Sequence, residues 1–159
     1  MSNARKVLRY WLPALLYSAA VLLASGDVLS AQHTGPLLYR ILSFFFGPIS
    51  RERFEIIHHL ARKCGHVAAY AVMSYAWFRA ARHRSLREHL WHWHWAVFGL
   101  CASIVVAALD EYRQSFYRSR TSSPWDVLLD SSAALLAQLV VYAFYRWWTR
   151  RHSPAIAAA

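Results

Sequence analysis

Acidic residues are scarce in this sequence. Its 159 residues hold eight Asp and Glu against 18 Lys and Arg, a net charge of +10. Charged residues of both signs reach only 16%, where ordinary globular proteins carry roughly 25%. Cysteine is scarcer still. Cys64 and Cys101 both sit in apolar runs, which argues against a disulfide framework. There is no internal repeat, and apart from the Ala-rich C-terminal tail there is no low-complexity tract. Neither a nucleophile elbow nor a P-loop occurs. What the chain does have is apolar mass: 57% hydrophobic residues, 16% aromatics and a mean hydropathy of +0.19. That excludes a disordered basic tail, which lacks aromatics and aliphatics. It also disfavours a soluble nucleic-acid binder, because one small core cannot hide so much apolar surface. The length suits a single domain over 1–159. A polytopic membrane protein with basic loops remains.

Four apolar blocks give that expectation a layout. With their polar ends included they predict spans over 7–25, 60–79, 91–110 and 126–148, each near the roughly 20 helical residues that cross a hydrocarbon core. The fold class expected is all-α: a four-helix transmembrane bundle. Tyr10, Trp11, Trp91, Trp93, Trp95, Trp147 and Trp148 cluster at block ends, as an interfacial aromatic belt does. The first block also imitates a secretory signal peptide, with Arg5, Lys6 and Arg9 ahead of it and small residues near Ser25. Its length, and a Pro13 that a spanning helix tolerates, favour a retained first helix.

Charge sets the orientation. The N-terminus, the loop between spans two and three, and the C-terminal flank carry ten positives against Glu88 alone. The other two loops carry eight positives against six acids. Lys and Arg accumulate on the cytoplasmic side, so both termini are expected inside a bacterial cytoplasmic membrane and both mixed-charge loops outside. The long first loop contains the apolar stretch 37–49, interrupted by Arg40 and ended by Gly47-Pro48. It is too short to span and predicts an interfacial or re-entrant helix.

The second span carries the first chemistry-grade pattern. His59, Lys63, His66 and Tyr70 fall on one helical face among small and apolar neighbours. An ammonium facing lipid costs about 2.5–3.5 kcal/mol at the helix centre, so the stripe should face the bundle interior or a wet cavity. Snorkelling of Lys63 and His59 to the interface is the simpler alternative. The third span leaves through Asp110 and Glu111; if its helix persists for two more turns, Glu111, Gln114 and Arg118 share a face. The fourth begins with Ser123 as N-cap, Pro124 at the first helical position and Asp126 near the positive end of the dipole. Asp130 lies one turn deeper, where no helix end requires it. By the topology above, these groups share the external end of the bundle. They form either a mixed polar pocket or a set of ion pairs that lock three helices.

Lys63–Tyr70 (KCGHVAAY) followed by 110–137 (DEYRQSFYRSRTSSPWDVLLDSSAALLA) resembles the VanZ-like family of small bacterial membrane proteins. The positions that match are Lys63, His66, Tyr70, Asp110, Glu111, Gln114, Arg120 and Asp126. Asp130 stands where the family has Asn, and Ala133 where it has Gly. The resemblance implies a cell-envelope protein. The family is named for a glycopeptide-resistance accessory protein that lowers susceptibility to teicoplanin. This adds antibiotic resistance to the expectations.

Three functions compete. The first is an external pocket for a lipid head group, cell-wall precursor or glycopeptide-like amphiphile, formed by Lys63, His66, Tyr70, Asp110, Glu111, Gln114, Arg118, Arg120, Asp126 and Asp130. The second is an intramembrane hydrolase or transferase with His66 or Glu111 as general base. The third is a structural, partner-binding bundle without chemistry. His89, His92 and His94 invite a metal reading, but they stand among interface tryptophans with no acid beyond Glu88. No metal or other cofactor is expected, and no nucleic acid. The C-terminal Arg-Trp-Trp-Thr-Arg-Arg reads as an anchor to anionic lipid.

Overall fold

A computed structural model describes residues 3–26, 31–82, 91–116 and 123–152. They form five helices: α1 (Asn3–Ala24), α2 (Ala31–Phe46), α3 (Arg51–Ala81), α4 (Trp93–Gln114) and α5 (Pro124–His152). No strand occurs among the described residues. The protein is therefore all-α. Among the described residues, three helices are long and apolar enough to cross a membrane: α1 over Val7–Ala24, α4 and α5. At 31 residues α3 is the longest, about 46 Å at 1.5 Å per residue, but Arg51–Lys63 makes its first half polar.

The helix boundaries differ from expectation in physically sensible ways. α3 begins nine residues before the expected span at 60. Ser50 takes an extended conformation (φ −61°, ψ 148°) as its N-cap, Glu52 sits in the first turn, and Arg51 pairs with Glu55 at 3.0 Å. A polar start costs nothing outside the apolar zone, so hydropathy underestimates such a helix. α2 begins at Ala31 rather than 37, runs through Pro36 and stops at Phe46. There Gly47 adopts φ +77° and donates its N–H to the Ser43 carbonyl at 3.0 Å, a glycine-terminated helix end. α4 does not continue for two turns beyond Glu111. It ends at Gln114, closed by Ser115 N–H on Glu111 O at 3.1 Å and Phe116 N–H on Arg113 O at 3.1 Å. Asp27 and the segments 83–90 and 117–122, which include His89, Arg118 and Arg120, lie outside the described residues.

α3 is the organiser, packing against α5, α4 and α1, with α2 resting on its first half. The interior is built from Tyr70, Met73, Ser74, Trp77 and Phe78 of α3 against small residues of its neighbours: Ala14, Gly99, Ser103, Ala107, Ala133 and Ala134. Large aliphatics such as Leu16, Leu23, Val105, Leu136 and Val140 face outward. Small and polar inside, large and apolar outside, is the arrangement expected where helices associate in an apolar solvent. Trp11, read from sequence as a belt residue, is half-buried, its ring edge-on to Trp77 and Phe98 at 6.0 and 5.8 Å.

Candidate functional site

Lys63, His66, Asp110, Glu111, Asp126 and Asp130 gather toward the end of the bundle where α3 begins, α4 ends and α5 begins. Lys63 and His66 are three positions apart on α3, and Asp126 and Asp130 are four apart on α5. Both spacings keep a pair on one helical face, so the helices meet as a two-rung ladder. Lys63 Nζ pairs with Asp126 Oδ1, and His66 Nδ1 lies 3.2 Å from Asp130 Oδ2. The first rung is partly exposed; the second is deeper, with Asp130 only 3% exposed.

α4 joins through Asp110, a carboxylate just 2% exposed. Its oxygens accept from Ser25 Oγ of the segment after α1, from Tyr70 OH of α3 at 3.4 Å and from Gln114 Nε2 one turn on at 2.9 Å. Three neutral donors satisfy the anion and tie three parts of the chain to α4. Glu111, next in sequence, does a different job. Its Oε1 accepts the backbone N–H of Ser123, whose own Oγ accepts the N–H of Trp125 at 3.3 Å. The Ser123-Pro124 start of α5 thus stands where the sequence put it, held by an acid from the preceding helix. Glu111→Ala is expected to cost about 1.5–3 kcal/mol, the range of a hydrogen bond to a charged group. The check is thermal unfolding of the detergent-purified protein, with Glu111→Gln retaining most of the stability.

Beyond Asp110 lies a second polar seam. Gln138 Nε2 of α5 donates to both Ser74 Oγ (2.7 Å) and Ser74 O (3.0 Å), and Ser74 Oγ donates to Ala134 O (3.1 Å). Gly99 of α4 fits directly onto this group.

Beside the ladder, α1, α2 and α3 line an open cavity of about 470 Å³, within the roughly 300–1,000 Å³ of small-molecule sites. Its lining is mostly apolar, and α3 supplies His58, Arg62, His66 and Tyr70 at successive i+4 steps. His58 Nε2 lies 3.2 Å from Thr34 Oγ1 of α2, and the His58 ring stacks on Phe54 at 5.5 Å. The cavity therefore carries a greasy wall and a polar edge.

Of the ten residues proposed from sequence as a pocket, eight are described, and each of these is engaged with another part of the chain. Lys63–Asp126, His66–Asp130, Tyr70–Asp110–Gln114 and Glu111–Ser123 are the contacts. His66 and Tyr70 alone among them also line the cavity. Arg118 and Arg120 lie outside the described residues. The sequence reading missed Ser25, Thr34, His58 and Arg62 as cavity residues. For two of them the sequence holds a signal: His58, Arg62, His66 and Tyr70 repeat at i+4 as regularly as His59, Lys63, His66 and Tyr70 share a face. Elsewhere, the His92 and His94 rings stack at 5.3 Å. Among the described residues no three His, Cys, Asp or Glu side chains group so as to hold a metal ion. No family model, curated protein or solved structure matches this chain.

Proposed function

We propose that the protein is a four-span, VanZ-like protein of the bacterial cytoplasmic membrane that holds an amphiphile at the outer end of its bundle. In this reading α3 is the fourth span, both termini are cytoplasmic, and α2 is an interfacial or re-entrant helix. The ligand class is a lipid, a cell-wall precursor or a glycopeptide-like amphiphile. The last would connect the protein to teicoplanin susceptibility, as the resemblance to its family suggests. The observation that carries the reading is the cavity between α1, α2 and α3, whose wall includes His66 and Tyr70 of the sequence motif.

The pairing on α3 supports its role as a span. Ionisable groups inside a membrane are expected to face the bundle interior and pair with one another, as Lys63 does with Asp126 and His66 with Asp130. The α2 helix ends in Phe44, Phe45 and Phe46, all largely exposed, which suits an element lying at the interface. The +10 charge then divides mainly by side and steers topology.

Two other readings each have an observation behind them. An intramembrane hydrolase or transferase draws on His66, a cavity-lining imidazole held at Nδ1 by a carboxylate, as a general base is oriented. A purely structural bundle draws on the ladder itself, since the pairs hold helices whether or not anything binds. Mass spectrometry of protein extracted under native conditions decides among them. Binding predicts one defined amphiphile at a fixed stoichiometry. A turnover product in its place supports the enzyme, and protein that carries nothing overturns the binding reading.

A further inference from the structure

We infer that the α1–α2–α3 cavity selects an amphiphile with one alkyl chain and an anionic head, and that Arg62 makes that selection. The inference rests on the binding reading above and gives its ligand a chemistry.

The walls define the chain. Val21 of α1, Leu37, Leu38 and Ile41 of α2, and Ala61 and Ala69 of α3 surround a space of about 470 Å³. A cavity so lined accepts an alkyl chain by van der Waals packing and offers little to a polar one. Gly65 contributes to the opening. It lies in the middle of α3 on the cavity wall, and a Cβ added there would meet nothing within 4 Å. A side chain at 65 would occupy the space that a ligand needs.

The charges define the head. At this end of the bundle Lys63 is matched by Asp126 and His66 by Asp130, while the Glu111 carboxylate caps α5. Asp110 has no cation in its hydrogen-bond set, but it is 2% exposed and covered by the hydroxyls of Ser25 and Tyr70, which themselves line the cavity. The cavity therefore meets hydroxyls where it approaches that anion. Arg62 is different. It lines the cavity, makes no ion pair with any described residue, and its buried Nε has no hydrogen-bond partner. A guanidinium is always charged, and its donors match a phosphate or carboxylate in geometry. It stands at the polar edge of a mostly apolar pocket, where an anionic head group would meet its charge.

The test uses the full chain in phosphatidylcholine nanodiscs, titrated with oleoyl lysophosphatidic acid, monooleoylglycerol and inorganic phosphate. The first two share a chain and a glycerol and differ by the phosphate; the third has the charge and no chain. Lysophosphatidic acid is expected to bind saturably and roughly tenfold or more tighter than monooleoylglycerol, the scale of a hydrogen bond to a charged group. Arg62→Gln should remove that difference. Phosphate alone should neither bind nor compete at comparable concentration. Gly65→Phe fills the cavity from a position with room for it, so it should melt with the wild type and bind neither amphiphile. Equal affinity of the two amphiphiles, an unchanged preference in Arg62→Gln, competition by phosphate alone, or full binding by Gly65→Phe each overturns the inference. If Arg62→Gln does not fold, the wild-type preference and Gly65→Phe still decide it. A neutral or cationic amphiphile co-purifying with the wild type refutes the anionic head while leaving the binding reading standing; protein that carries nothing and binds neither amphiphile refutes both.

Discussion

Valine in place of Gly99 is expected to leave little folded protein. A Cβ at this position would stand 2.7 Å from the Ser74 carbonyl oxygen and 3.0 Å from both the Phe78 nitrogen and Gln138 Nε2. Two of these three atoms belong to the α3 backbone, which cannot yield as the tip of a side chain can. α3, α4 and α5 meet at this point. Moving them apart also breaks the bonds from Gln138 to Ser74, buried and therefore costly to leave unmade. Overpacking costs about 1–3 kcal/mol and an orphaned buried donor a similar amount, so about 3–5 kcal/mol is at stake. Alanine should fall between, since it adds the Cβ and nothing more. Size-exclusion profiles and melting temperatures in detergent read the series. A valine variant that melts with the wild type would mean that these three helices do not approach as closely as the structure has them.

The second large effect lies on the ladder. His66→Leu removes the one partner, among the described residues, of an Asp130 carboxylate that is 3% exposed and whose Oδ1 already has no hydrogen bond. Breaking a buried pair from one side costs about 3–5 kcal/mol, whereas replacing both members with apolar residues is often close to neutral. The double variant His66→Leu/Asp130→Leu should therefore recover most of the stability that His66→Leu loses. Lys63→Met gives the contrast. Its pair with Asp126 is a third exposed on the lysine side, and pairs open to solvent contribute about 1 kcal/mol or less. Melting temperatures of the four proteins test the ordering. A double variant no more stable than His66→Leu would contradict the assignment of Asp130 and His66 to one pair.

These two regions show what a sequence discloses of such a fold. α1, α4 and α5 are legible because each is a long apolar run, and Ser123-Pro124 marks the start of α5 through its capping chemistry. The ladder is half legible: Lys63 and His66 on one face, with Asp126 and Asp130 on another, offer opposite signs at one depth. Which acid meets which base depends on how α3 and α5 are rotated, and packing settles that. Gly99, Ser74 and Gln138 leave no trace in the pattern, since a glycine or a single polar residue inside an apolar run has no period. The bond from Ser25 to Asp110 spans 85 residues and follows from no local rule. Arg62 falls inside the expected span over 60–79, but the face it shares with His58 exists only because α3 starts at Arg51. The start of α3 was hidden because hydropathy measures only the apolar part of a helix.

At the centre of the account is α3 as a span in spite of its charges. Three crossings by α1, α4 and α5 alone would reverse the side of every segment after α3, so parity decides the matter. A reporter active only in the periplasm, fused in full-length protein within 117–122 or after the C-terminus, reads that parity directly. With four spans it is active in the loop and silent at the C-terminus. A silent loop fusion with an active C-terminal one would contradict the account, placing the end of the bundle that carries Lys63, Asp110 and Asp126 on the cytoplasmic side.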